Sequence, residues 1–177
     1  AAGRNEPVEL DFSEQLGGGE SAIRLSRTRG RRAPPLPYTL AVRFRSEQPA
    51  TSPEAKVELE TELAETELEM GESVRLTAKV RNVTDEGLGM TLARVGLPGG
   101  LTFQDWQLEE LQEKGTIGFY ETREREVILY FRDMEPGEEK TVPIELTATV
   151  PGQYTGPASR AYLYYTNEHK HWTEPLV

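Results

Sequence analysis

Apolar and polar residues alternate with a period of two along most of this chain, a pattern that predicts strands. Val8, Leu10 and Phe12 form the first run, and Ala22 to Leu25 returns after Gly17-Gly18-Gly19. Tyr38, Leu40, Val42 and Phe44 alternate with Thr39, Ala41, Arg43 and Arg45. Further on, Val57, Leu59, Thr61 and Leu63 alternate with Glu58, Glu60 and Glu62. Beyond the Met70-Gly71-Glu72 turn, Val74, Leu76, Ala78 and Val80 form the inward set of the next strand. Met90 to Leu97 and a strand beginning at Ile117 to Tyr120 follow. Val127 to Phe131 is continuously apolar, as expected where a strand is covered on both faces. Val142, Ile144, Leu146 and Ala148 alternate again, and Pro143 within that run marks an edge position. Ser159 to Tyr165, with Tyr162, Tyr164 and Tyr165, is the last strong strand.

One stretch breaks the period. Met90 to Gly115 opens as a strand, turns at Pro98-Gly99-Gly100 and becomes the one convincing helix. Leu108 and Leu111 fall three apart on one helical face, with Trp106 read close to that stripe. Thr102 or Asp105 is placed as the N-cap, and Lys114-Gly115 marks the end. So short a helix is unstable by itself in water and has to pack against a sheet.

The segment Ser46 to Glu54, rich in Pro, Ser and Thr, reads as a linker. It divides residues 1–52 from residues 53–177, the part in which strands recur at sandwich spacing. Three strands before the linker are too few to enclose a core. They are expected to pair with further chain or to dock on the second domain.

Composition narrows the function classes. The 177 residues carry a net charge of −10, which argues against nucleic acid or an anionic membrane surface as the main partner. No apolar run has the length of a membrane span. The start, Ala1-Ala2-Gly3-Arg4, shows no leader pattern and is expected of an excised part. Cysteine is absent, which excludes disulfides, thiol catalysis and zinc–thiolate sites and leans toward a bacterial source. Arg24, Arg27, Arg29, Arg31 and Arg32 form a basic run, read as a solvated hairpin tip or as a contact within a larger assembly.

No residues are arranged for catalysis. The carboxylates alternate outward on strands or lie on the helix, and neither a phosphate loop nor a nucleophile elbow is present. His169-Lys170-His171 puts two imidazoles on one extended segment near Glu168 and Glu174, but further ligands are not spaced for a closed metal shell. The segment reads as an exposed polar strand. Asn82-Val83-Thr84 fits a glycosylation acceptor, expected to stay bare in a bacterial protein. Trp106, Trp172 and the tyrosines read as packing residues. These features alone describe a soluble β-sandwich interaction module.

Three segments carry a resemblance: MTLARVGLPGGL from Met90, EREVILYF from Glu124, and GPASRAYLYY from Gly156. In this order residues 53–177 resemble the receptor-binding, last macroglobulin-type domain of the alpha-2-macroglobulin family, with the wording nearest bacterial members. Residues 1–52, ending in PPLPYTLAVRF, resemble the C-terminal half of the family's CUB-like domain. The resemblance implies an all-β fold: a fibronectin/macroglobulin-like antiparallel β-sandwich with one short inserted helix, preceded by a partial CUB-like β segment. It further implies a non-catalytic C-terminal part of a large, secreted protease-trapping inhibitor, located in an extracellular, periplasmic or cell-surface compartment. Its partners would be the thioester and macroglobulin domains of the same parent, and proteases through the intact parent. No nucleic acid, direct membrane insertion, cofactor or metal is implied. The Cys-Gly-Glu-Gln thioester quartet is not in this chain. Animal members engage a receptor through lysines on the helix; here Lys114 stands among Glu109, Glu110 and Glu113, and no receptor-binding residue is carried over. Trp106, Lys114 and Trp172 are the candidate interdomain contacts. A generic fibronectin-like adhesion or stalk module is the alternative.

Overall fold

In the computed structural model the chain divides into two compact units, Ala1–Val42 and Arg43–Val177. The structure describes residues 48–177 continuously, together with Asp11, Phe12, Ala22, Arg24 and Ala41. The strands expected before Ser46 and most of the basic run lie outside the described residues, as does the CUB-like reading of residues 1–52.

The second unit is a β-sandwich. β1 (Val57–Leu63), β2 (Ser73–Asn82), β7 (Glu139–Ala148) and β4 (Leu101–Phe103) form one sheet in the order β1-β2-β7-β4. β5 (Phe119–Arg123), β6 (Glu126–Phe131), β3 (Thr91–Gly96), β8 (Ser159–Leu163) and β9 (His171–Thr173) form the other in the order β5-β6-β3-β8-β9. Every strand pairing is antiparallel. The alternation legible in the sequence is the alternation of burial. Val57 and Leu59, Val74 to Val80 at every second residue, and Val142, Ile144 and Leu146 line the inner face of the first sheet. They pack on Ala93, Val95, Val127, Leu129, Phe131 and Ala161 of the second. The fully buried Val, Leu, Ile and Phe side chains among them each stabilise the fold by about 1.5–3 kcal/mol.

The Pro98-Gly99-Gly100 turn needs its glycines. Gly100 lies at φ +76°, and a Cβ there would stand 2.6 Å from both the Tyr154 ring and the Val150 carbonyl oxygen. After this turn comes a strand that the sequence pattern did not announce. β4 carries the chain from the second sheet to the first and pairs Leu101–Phe103 with Ala148–Leu146. The helix, α1 (Trp106–Glu113), begins only then. Asp105 holds the N-cap position, in a helical conformation and without a side-chain hydrogen bond, so neither Thr102 nor Asp105 caps as expected. The C-terminus is built as expected. Thr116 N–H donates to Leu111 C=O, Gly115 N–H donates to Gln112 C=O, and Gly115 takes φ +74°, a Schellman closure.

Leu108 is fully buried and Leu111 is half-buried against the core, as the helical spacing requires. Trp106 departs from expectation and is 59% exposed. A separation of two residues turns a helix by about 200°, so Trp106 points away from the face that Leu108 buries. The strand expected from Ile117 starts at Phe119, and Ile117 itself plugs the core beside Leu108.

Pro143 lies within β7, which has β2 on one side and β4 on the other, but β4 ends opposite Leu146. Ala148 N–H points toward β2, where it donates to Glu72 C=O, and Glu145 N–H points the other way, to Gln107. Strand parity therefore puts the Pro143 nitrogen on the side left free by β4, where a missing donor costs nothing.

Candidate interaction surface

The outer face of the five-stranded sheet is where polar and aromatic side chains converge. Strand registers set them in rows. Phe119, Tyr130, Leu92 and Tyr162 lie side by side across β5, β6, β3 and β8. The next row is Glu121, Ile128, Arg94, Arg160 and Trp172, reaching β9. Ile128 and Leu92 are 5% and 4% exposed although they face away from the sandwich core. The continuous apolar run of β6 is thus explained: its outward residues are covered by the long polar side chains around them.

Glu126 holds this cover together. Its carboxylate accepts from Nη2 of Arg94 and, at 2.8 Å, from Nη1 of Arg160. Arg160 also stands over the Trp172 ring, 5.0 Å from the centroid, and Lys170 over the Tyr162 ring at 5.1 Å. Burial acts to lower the Arg94 pKa, but the hydrogen bond and charge of Glu126, with Tyr162 adding to them, raise it overall. Burial, and then repulsion from Arg160, pull the Lys170 amine below its usual range. At the β5 edge the Tyr130 hydroxyl donates to Glu121 at 2.6 Å, which with burial pushes the phenol up to about 12. The same bond holds the Glu121 carboxyl below its usual range, with Arg123 assisting.

A second cluster ties the start of the sandwich to its last strand. Ser52 N–H donates to Lys170 C=O, Trp172 N–H donates to Thr51 Oγ1, and the Thr51 hydroxyl donates to Trp172 C=O. His171 Nδ1 accepts from Leu59 N–H at 3.2 Å, linking β9 to the free edge of β1. Ser52 Oγ and His169 Nδ1 lie 3.3 Å apart. The two histidines therefore hold separate backbone segments, and among the described residues no group of three or more His, Cys, Asp or Glu could hold a metal. The described part of the Ser46–Glu54 segment is bound to β9.

Asn82 of the glycosylation triplet is fully buried. Its amide donates to the carbonyls of Glu86 and Glu135 at 2.7 and 2.9 Å and accepts from both the N–H and the hydroxyl of Thr84. The triplet is a structural loop anchor.

Of the three sequence-predicted contact residues, Trp106 and Lys114 mark the two ends of α1, Lys114 paired with Glu110. The helix lies against β7 and β5. Trp172 sits on β9, at the opposite edge of the five-stranded sheet from β5, so the structure does not bring it together with the other two. Arg94, Glu126, Arg160 and Lys170 escaped the sequence reading. Each looks like an ordinary outward charge; register makes Arg94 and Arg160 neighbours, Glu126 reaches both, and Lys170 joins them over the Tyr162 ring.

Residues 86–174 match the family model for the A-macroglobulin receptor binding domain. No curated protein sequence matches the chain. Among solved structures, trypsin-activated alpha-2-macroglobulin from Escherichia coli is similar at a TM-score of 0.57 and 15% identity, over 72% of this chain and 11% of that one. Salmonella alpha-2-macroglobulin reacted with methylamine aligns at 0.55 and 19%, over 73% and 10%. The native Escherichia coli protein from domain MG7 to the C-terminus aligns at 0.53 and 15%, over 73% and 25%. At these identities the likeness to the solved structures is one of fold, and the chain spans 11% of the first. The matched family model covers the helix, the Gly turn and all strands from β3 to β9, and by it the chain belongs to the alpha-2-macroglobulin family.

Proposed function

We propose that this chain is a non-catalytic C-terminal part of a large, broad-spectrum protease-trapping inhibitor, packing against the thioester domain of its parent and shielding it. The observation that carries the reading is the receptor-binding-domain match over residues 86–174, which covers the sandwich from β3 to β9. The structural relatives include a trypsin-activated and a methylamine-reacted form, which supports assigning the parent to protease capture with a thioester. Residues 1–52 are assigned to the end of a CUB-like domain and residues 53–177 to the receptor-binding-type sandwich. The parent acts in an extracellular, periplasmic or cell-surface compartment; among the described residues no helix is long and apolar enough to cross a membrane. Trp106, Lys114 and Trp172 are assigned to contacts with neighbouring domains, on two separate flanks of the sandwich.

The experiment is made on the intact parent: native mass and thiol release with methylamine, before and after protease exposure. Release of about one thiol per chain, with a compacted product after cleavage, is expected. Absence of both release and compaction leaves the fibronectin-like stalk. In the same parent, Trp172→Ala accelerates spontaneous thioester hydrolysis; an unchanged rate removes Trp172 from the shielding contact. The 177-residue chain alone inhibits no protease.

A further inference from the structure

We propose that Arg94, Arg160 and Lys170, on the outer face of the five-stranded sheet, form an acceptor site for the carboxylates of an acidic protein segment. Arg94 and Arg160 are direct cross-strand partners, an arrangement of like charges that costs stability unless it is neutralised. Among the described residues Glu126 is the one carboxylate that pairs with them, and it pairs with both. The triad retains a positive charge. Lys170 adds a second: its amine donates to the Asn167 carbonyl oxygen, and among the described residues it makes no ion pair. Glu168 attracts Lys170 only through space. Arg94 Nε, buried within the cluster, has no hydrogen-bond partner.

The setting favours a carboxylate on a peptide. Acidic residues outnumber basic ones across residues 48–177, so within the sandwich this cationic face is a place to which an acidic partner is steered. Guanidinium groups already fixed against Glu126 and Trp172 lose little freedom on accepting a second carboxylate. Apolar contact area adjoins the charges. Phe119 is 52% exposed at one end of the aromatic row, and beyond the strand ends Tyr164 N–H donates to Met90 C=O with both side chains exposed. A small inorganic anion uses none of that area, whereas a protein segment covers it. The inference concerns binding alone and stands whether or not the parent traps proteases.

The test uses the 177-residue chain carrying Trp106→Phe, which leaves Trp172 as the only indole. Its emission is followed during titration with a short oligoglutamate peptide at fixed ionic strength, with oligoglutamine as control. A saturable change with oligoglutamate alone is expected. Lys170→Gln weakens the affinity about threefold and Lys170→Glu about tenfold, with the thermal midpoint of each variant held. Absence of a saturable change, or equal affinity in Lys170→Glu, overturns the proposal. So does an equal response to inorganic phosphate at matched ionic strength, or tighter binding of a single-stranded oligonucleotide.

Discussion

Gln107 pairs with Glu145 as though it belonged to a strand. Its side-chain amide donates to the Glu145 carbonyl at 3.0 Å and accepts from the Glu145 N–H at 2.8 Å. The amide thus extends by one rung the ladder that β4 abandons after Phe103, and it fixes the start of α1 on the sheet. Gln107→Ala removes both bonds and leaves a half-buried strand edge. A loss of about 1–3 kcal/mol is expected in urea denaturation. Gln107→Glu restores an acceptor for the N–H but sets a carboxylate against the carbonyl, and recovers at most part of that loss. Equal stability of Gln107→Ala and the parent sequence would show that the edge is satisfied by other means.

The features that were legible in the sequence are those in which one residue type repeats with one burial. β1, β2 and β7 show it in Val57 and Leu59, in Val74 to Val80, and in Val142 to Leu146. β4 was not legible because Leu101-Thr102-Phe103 is too short to show a period, and its partner Ala148–Leu146 lies far along the chain. In the sequence β9 reads as an exposed polar strand, yet it is half-buried: His171-Trp172-Thr173 holds its place by bonds to Thr51 and Leu59, and hydrogen bonds leave no apolar pattern. Trp106 misled because size suggested burial, while its angular position opposite Leu108 decided exposure. The cationic face was hidden for another reason. Arg94 and Arg160 are separated by many residues, and their meeting is a property of register.

Asn82 is the hub of the loop between β2 and β3, and its burial makes two expectations firm. Asn82→Ala leaves the Glu86 and Glu135 carbonyls and the Thr84 N–H without their partner, at a cost of about 2–4 kcal/mol in thermal or urea unfolding. Asn82→Asp costs at least as much near neutral pH, because a carboxylate oxygen then faces those carbonyls. When the already folded chain is exposed to an oligosaccharyltransferase and its lipid-linked donor, it keeps its unmodified mass at this triplet; a glycan on Asn82 under those conditions would mean that the loop opens.

The Tyr130–Glu121 bond makes stability depend on pH at both extremes. Tyr130 has a folded pKa of about 12, above its ordinary value of 10.0, so its contribution is fully present below pH 10 and fades as pH rises toward 12. Glu121 has its folded pKa lowered from 4.5. Its contribution is present above that value and fades as pH falls through the lowered one. Of the seven tyrosines, Tyr130 is expected to ionise late in an absorbance titration of the folded protein, near pH 12. Tyr130→Phe abolishes this late phase and moves the Glu121 carboxyl back toward its ordinary pKa, readable by NMR. A late phase that survives the substitution would belong to another tyrosine, such as Tyr120, whose pKa burial also raises.

The free edge of β1 is closed by a side chain. Leu59 N–H points away from β2 and donates to His171 Nδ1, and the neighbouring Thr51 and Ser52 bonds fasten residues 51–52 to Lys170 and Trp172. His171→Ala removes the acceptor while leaving the apolar core of β1 intact. The Leu59 amide is then expected to exchange with solvent about tenfold faster or more, a loss on the scale of one hydrogen bond. His171→Asn tests the cause, since its side-chain carbonyl can reach the place of Nδ1 and accept the same N–H. Protection restored in His171→Asn assigns the effect to the acceptor. Equal loss in both variants would assign it to the packing of the imidazole ring, and unchanged exchange in His171→Ala would leave the β1 edge held by the Thr51 and Ser52 bonds alone.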